Sequence, residues 1–271
     1  MRVGFLQFEP IFGEVEANLK RVDDLLRLEE ADLVVLPELF STGYLFSSRE
    51  EALTLAEEIP RGRTTQFLLR LARRLNMHLV GGVCEREGRL LYNSAVLVSP
   101  GGYIGKYRKI HLFSEEKLWF RPGDLGFPVF NLGAFRLGIM ICFDWLFPEA
   151  ARTLALKGAQ IICHPANLIL PYCQQGMSVR CLENGVFAIT ANRTGMEKRN
   201  GKSLTFTGKS QITGPRGEIL TQAGEREETL KIVPIDPHRA DDKSLNPLNN
   251  LFQDRRVDDY KILLWSEESL S

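Results

Sequence analysis

Residues Arg2 to Phe8, apolar but for Arg2 and Gln7, read as a buried strand that ends at the Glu9 to Gly13 turn. From Asn18 to Glu30, Leu19, Val22, Leu25, Leu26 and Leu28 recur at near-helical spacing, and Asp32 to Leu36 is a second apolar run. The opening therefore reads as a β-α-β unit. A further helix is predicted at about Thr64 to Leu75, then a strand from His78 to Val83. Asn93 to Tyr107 reads as a hairpin, because Ser99-Pro100-Gly101-Gly102 is a turn signal between two β-like arms.

The second half echoes the first. Arg136 to Cys142 repeats the Arg-x-Gly opening of the first strand, a helix over 149–157 follows, and Ala159 to Cys163 completes another β-α-β. Thr213-Gly214-Pro215-Arg216-Gly217 supplies a second hairpin turn. This order predicts two similar halves packed sheet against sheet with helices outside. No low-complexity stretch or linker interrupts it, so 1–257 reads as a single domain. The tail over 241–271 carries Leu245, Leu248, Leu251 and Phe252 among many charges, and reads as a covering arm or a subunit contact.

Composition narrows the function. The 271 residues include 34 Lys+Arg against 34 Asp+Glu, with 44% hydrophobic residues. Such a chain buries roughly 75% of its unfolded surface, and zero formal net charge lacks the electrostatic footprint that nucleic acid or an anionic membrane would need. No apolar stretch approaches the ~20 residues of a spanning helix, and the N-terminus lacks a signal-peptide pattern. A cytoplasmic location is expected. The five cysteines, at 84, 142, 163, 173 and 181, are odd in number and form no C-x-x-C pair, which argues against a disulfide framework or structural zinc.

In α/β sheets functional groups collect at the carboxyl ends of strands. Those ends carry Glu38, Lys109, Cys142, and His164 with Asn167. Cys142 sits at a strand-to-helix turn, with Pro148 in the first turn of the following helix. There, backbone N–H groups and a helix end would lower its pKa; the competing reading is an inert core cysteine. Cys84, Cys163, Cys173 and Cys181 read as core residues. A thiol nucleophile needs a proton acceptor. Among the histidines, His78 begins a strand and His238 lies in a surface-like turn, whereas His111 and His164 are open either to a structural or to a basic role. Glu38, stranded after an apolar run, qualifies as a base if burial raises its pKa; otherwise it is a solvated loop acid. In the basic cluster Lys106 to His111, Lys106 and Arg108 read as a solvated strand end. Lys109, beside Ile110 and Leu112, reads as pointing inward to Glu38 and a developing oxyanion. No metal-ligand spacing or phosphate loop appears, so neither metal nor nucleotide cofactor is expected.

Three segments in order, Leu36-Pro37-Glu38, Tyr107-Arg108-Lys109-Ile110-His111-Leu112, and Gly138 to Asp144 with Phe147-Pro148-Glu149, resemble the nitrilase superfamily of carbon–nitrogen hydrolases. The resemblance extends through Glu116 ahead of Phe120 to Asp124, through His164-Pro165-Ala166-Asn167, and through Arg180 to Asn192. It looks closest to thermophile-type members of the nitrilase and amidase branches. It implies a four-layer α-β-β-α sandwich of two mixed sheets that dimerises into an eight-layer particle. It also implies that Cys142 attacks a nitrile or amide carbon, Glu38 is the general base, Lys109 and the N–H after Cys142 hold the oxyanion, and Glu116 is the additional acid. Phe113, Phe143, Trp145, Asn167 and Tyr172 are its candidate pocket residues. Glu149 is expected to serve the helix dipole alone. The continuation Cys142-Phe143-Asp144 departs from the Cys-Trp-Glu of typical nitrilases, which favours small amides over nitriles and leaves carbamoyl-amines open. The alternatives are acyl transfer to an acceptor other than water, and a scaffold that has lost catalysis; an intact Glu38, Lys109 and Cys142 set argues against the latter.

Overall fold

The computed structural model describes residues 1–27 and 30–264. In chain order the first half supplies β1 (Arg2–Gln7), α1 (Val15–Leu26), β2 (Leu33–Val35), α2 (Arg49–Leu55) and α3 (Arg63–Leu75). It continues with β3 (His78–Glu87), β4 (Leu90–Ser99), β5 (Gly102–Arg108) and the single turn α4 (Glu116–Trp119). The second half supplies β6 (Val129–Asn131), β7 (Arg136–Ile139), a 3₁₀ turn (Cys142–Leu146), α5 (Pro148–Leu156), β8 (Ile161–Ala166), α6 (Cys173–Asn184) and β9 (Phe187–Asn192). The hairpin β10 (Met196–Arg199) and β11 (Lys202–Thr205) precedes β12 (Gln211–Thr213), β13 (Ile219–Gln222) and β14 (Thr229–Pro234).

Two six-stranded mixed sheets result, ordered β14-β1-β2-β3-β4-β5 and β13-β12-β9-β8-β7-β6. In each, three parallel strands (β1, β2, β3 or β7, β8, β9) carry an antiparallel hairpin on one side and one antiparallel strand on the other. The repeat reaches individual bonds. Arg2 N–H donates to Asp32 Oδ2 at 2.6 Å, and its counterpart Arg136 N–H donates to Gln160 Oε1 at 2.8 Å. Val3 pairs with Leu33 as Leu137 pairs with Ile161.

The inner faces share one core, with Val3, Phe5, Leu33, Val35, Val80 and Leu97 meeting Leu137, Ile139, Ile161, Cys163 and Ile189. On the outer face of the first sheet, Val34, Leu36, Leu79 and Val96 pack under Val15, Leu19 and Val22 of α1 and Leu68 and Leu71 of α3. The central strands are buried on both sides, which is why they read as unbroken apolar runs. On the second sheet, Leu154 of α5 lies against Gly138, where a Cβ would come within 2.6 Å of it. Met177 and Cys181 of α6 join the same core. The architecture is the expected α-β-β-α sandwich.

Several local expectations shift. The first helix begins earlier, at Val15, and Leu28 lies outside the described residues. The pattern of α6 is weak because its buried stripe is carried by Cys173, Met177 and Cys181, not by aliphatic residues. Strand β14 was not predicted, being a half-exposed edge with Lys231 at its centre. Arg108 is no solvated strand end. It is 3% exposed, and its guanidinium donates to Glu85 at 2.6 Å and Asp124 at 2.9 Å over the ring of Tyr92, because β3, one strand beyond β4 in the same sheet, supplies a buried carboxylate. Beyond β14, a 3₁₀ turn (Pro237–Ala240), a small ribbon (Ser244–Asn246 with Asn249–Asn250) and a 3₁₀ run (Val257–Leu264) leave Leu245, Leu248, Leu263 and Leu264 exposed. Residues 265–271 of the predicted arm lie outside the described ones. Among the described residues no helix is long and apolar enough to cross a membrane.

One glycine fixes where β2 ends. Gly82 N–H donates to Pro37 O at 3.1 Å, and a Cβ there would lie 2.4 Å from Leu39 N and 2.5 Å from Glu38 Cα. At Gly81 the same atom would meet only side-chain carbons of Phe40, Leu36 and Leu68. Side chains can yield where backbone cannot, so Gly81→Ala should cost about 1–3 kcal/mol and Gly82→Ala more. Thermal melts of both variants test this; equal losses would show that the approach of the backbone is not the constraint.

Candidate active site

The segments after β2, β5 and β7 converge at one end of the two sheets. Glu38 follows β2 and is fully buried. Its Oε1 accepts from Asn93 Nδ2 at 2.6 Å and from Lys109 Nζ at 2.7 Å, while its Oε2 is buried and finds no partner among the described residues. Lys109 is tied down by its own backbone, whose N–H donates to Asn93 O and whose carbonyl accepts from Gly123 N–H, each at 2.8 Å. Its ammonium also donates to Glu116 Oε1 at 2.7 Å, and the Tyr44 hydroxyl donates to that same oxygen at 2.7 Å.

Cys142 opens the 3₁₀ turn with φ +42, a left-handed conformation that costs a non-glycine residue energy. The turn is held from behind. His164 Nε2 lies 2.9 Å from Cys142 O, and since a carbonyl only accepts, Nε2 carries the proton; Nδ1 faces Thr190 Oγ1 at 3.1 Å. Asn167 donates from Nδ2 to Glu38 O at 3.0 Å. It thus ties the segment after β8 to that after β2.

Burial governs the titration of the site. It pushes the Glu38 carboxyl above the usual range, an effect that Lys109 opposes and Glu116 reinforces. The Cys142 thiol is likewise pushed well up, by burial first and by Glu38 next, with Lys109 opposing. The expected lowering by a helix end is overridden, since the thiol is enclosed and faces two carboxylates against one ammonium. Burial alone would discharge Lys109, but Glu116 and Glu38 outweigh it and hold the ammonium firmly protonated. The thiol therefore rests protonated beside a carboxylate with a free oxygen.

Tyr44 and Asn93 were not singled out from sequence. Tyr44 is carried by a loop whose Tyr44 and Leu45 N–H groups donate to Glu197, which is paired with the fully buried Arg193. The partners that hold this loop lie far along the chain, and no local motif marks them. Beside Glu116 opens a cavity of about 380 Å³ lined by Tyr44, Phe46, Phe113, Trp119, Ile169 and Leu204. Phe143 packs edge-to-face on Phe113 at 5.1 Å but faces a neighbouring hollow with His111 and Phe147. Trp145 is turned against α6, where a Cβ on Gly176 would meet its ring at 2.3 Å. Tyr172 is 61% exposed at the start of α6. The structure thus brings Glu38, Lys109, Glu116, Asn167 and Cys142 together with Phe113 close by, and does not bring Trp145 or Tyr172 to that cavity.

The sequence and fold have known relatives. The family model described as carbon-nitrogen hydrolase matches residues 2–243. A nitrilase of Pyrococcus abyssi is 49% identical over 263 residues, covering 96% of this chain and 99% of that protein. The N-carbamoylputrescine amidase of Solanum lycopersicum is 32% identical over 286 residues, covering 97% and 94%. Among solved structures, a carbon-nitrogen hydrolase from Helicobacter pylori superposes with a TM-score of 0.88 at 30% identity, with 98% of each chain covered. A glutamate-to-glutamine mutant of an amidase from Nesterenkonia, with acrylamide added at the active-site cysteine, superposes at 0.80 with 28% identity over 97% and 99%.

His164 gives the site a stability signature. Burial lowers its pKa to about 4 from an ordinary 6.5, so the ring is neutral in the fold. Between those values the unfolded chain binds a proton that the folded chain does not, and this group's contribution is present above 6.5 and lost as pH falls toward 4. The slope approaches about 1.4 kcal/mol per pH unit. The melting temperature should therefore fall between pH 7 and 5 less steeply in His164→Gln than in the wild type; parallel slopes would place the titration elsewhere.

Proposed function

Because the chain belongs to the carbon–nitrogen hydrolase family, we propose that it hydrolyses small amides, with nitriles or carbamoyl-amines as the alternative substrates, to the acid and ammonia or an amine through a thioester on Cys142. The carrying observation is the buried Glu38–Lys109–Glu116 set beside a strained Cys142.

In this reading Glu38, with Oε2 unengaged, takes the thiol proton as the sulfur attacks the acyl carbon. The carbonyl electrons move onto oxygen, where the Lys109 ammonium and the Phe143 N–H stabilise the charge. Glu38 then returns the proton to the leaving nitrogen, the C–N bond breaks, and ammonia departs. Water attacks the thioester while Glu38 accepts its proton, the C–S bond breaks, and the proton passes back to sulfur. A carboxylate whose proton affinity burial has raised suits both directions of transfer. The cavity beside Glu116, mostly aromatic and aliphatic but lined also by Glu115 and Lys202, suits a short acyl group. Amides are favoured over nitriles because they need the returned proton on a tetrahedral nitrogen, which Glu38 is placed to supply. The amidase with acrylamide at its cysteine supports the class, and the Pyrococcus nitrilase makes the nitrile comparison worth running. The reading includes a cytoplasmic homodimer that needs no metal or organic cofactor.

Cys142→Ala should abolish turnover with the fold intact; retained activity would sink the nucleophile assignment. Glu38→Gln should also abolish it, and Lys109→Met should in addition cost about 3–5 kcal/mol, since it leaves two buried carboxylates without a cation. Ammonia release from amide and nitrile pairs that share an acyl skeleton decides the substrate class. A higher kcat/KM for the amide is expected, and consistent preference for the nitrile would overturn that choice.

A further inference from the structure

Asp144 is wholly buried two residues beyond Cys142, and its carboxylate joins the two segments that carry the nucleophile and the ammonium. Its Oδ2 accepts from the N–H of Ile141, the residue immediately before Cys142, at 2.8 Å, and from the Tyr107 hydroxyl at 2.7 Å. Its Oδ1 accepts from the His111 N–H at 3.1 Å and faces His111 Nδ1 at 2.7 Å. Tyr107 and His111 stand two residues to either side of Lys109, and the Tyr107 hydroxyl in turn accepts from Ile110 N–H at 3.1 Å. The His111 ring stacks on Phe147 at 3.7 Å, at the far end of the turn that Cys142 opens.

We propose that Asp144 is a positioning residue that sets the separation of Cys142 from Lys109, a role resting on the reading of Cys142 as nucleophile. A left-handed non-glycine residue persists only where its surroundings over-determine it. His164 holds the carbonyl of Cys142, and Asp144 holds the N–H of the residue before it. The same carboxylate grips both sides of Lys109, so a shift of the lysine segment is carried to the nucleophile turn through one side chain. Asparagine has the right shape but turns one of the two accepting oxygens into a donor, which meets either Ile141 N–H and Tyr107 O–H or the His111 pair head-on. The acid is therefore needed for its acceptors, without touching substrate.

The test compares Asp144→Asn, Tyr107→Phe and the double variant. Read-outs are kcat and KM on the best substrate of the amide panel, and the rate at which iodoacetamide alkylates Cys142, located by mass spectrometry; all five cysteines are buried, but Cys142 keeps 7% of its surface exposed against at most 1% for the other four. For Asp144→Asn we expect kcat to fall about 100-fold with KM within about threefold, since small misplacements of reacting groups act on the transition state. Alkylation should slow by at least about tenfold, Tyr107→Phe should show a smaller loss of the same kind, and the double variant should be no worse than Asp144→Asn alone. Wild-type kcat and alkylation in Asp144→Asn, a raised KM with unchanged kcat, or losses that simply multiply in the double variant would overturn the proposal. Should Asp144→Asn fail to fold, Tyr107→Phe decides alone, and wild-type rates there would reject it. Turnover retained by Cys142→Ala sinks the catalytic reading itself, whereas turnover lost there but normal in Asp144→Asn sinks only the positioning role.

Discussion

One ammonium and two carboxylates lie together where almost no water reaches them, and the rest of the site follows from that. Glu38 and Lys109 are fully buried and Glu116 nearly so. Charges taken out of water are tolerated only when paired and hydrogen-bonded. Lys109 answers this by donating to both acids, and Asn93 and Tyr44 supply further donors. Burial is what keeps the affinity of Glu38 for a proton high; Lys109 opposes it and Glu116 adds to it. The burial that makes the group expensive is also what raises the proton affinity of Glu38.

Holding such a set demands rigid supports, and the sandwich provides them in duplicate. Each half has three parallel strands whose carboxyl ends face the same side, so the segments after β2, β5 and β7 meet without long excursions. The halves are not equivalent in use. The first contributes Glu38, Lys109 and Glu116, the second contributes Cys142 and the residues that hold its backbone. The repeated Arg-to-acid or Arg-to-amide bonds at the start of β1 and β7 lie at the opposite strand ends and serve register.

Much of this was legible in the chain. Doubly buried strands announce themselves as apolar runs, and Pro-Gly turns mark the hairpins, so the sandwich and its two-fold character could be read. Strand β14 and helix α6 could not, because a half-exposed edge mixes Lys231 with Leu230 and Ile232, and a helix lined by cysteine and methionine has little contrast. The site divides in the same way. Glu38, Lys109 and Cys142 stand out because a polar residue closes an apolar strand or interrupts its neighbours. Tyr44 and Asn93 act through contacts made only in three dimensions. Trp145, a pocket candidate only by the family resemblance, is rotated by the 3₁₀ turn onto α6, where Gly176 makes room.

The partner of β1 is the late strand β14, with Arg2 opposite Pro234 and Gln7 opposite Thr229. A ribosome delivers residues at about 5–20 per second, so one edge of the first strand made waits for roughly 10–45 s before the segment that covers it has emerged. Through that interval an apolar strand presents its unpaired N–H and C=O groups to any other nascent chain. The first sheet cannot close as an autonomous unit during translation, and the final docking of β14 joins both halves in a single late step. The exposed edge is a vulnerability that lies in the order of synthesis and is invisible in the finished fold.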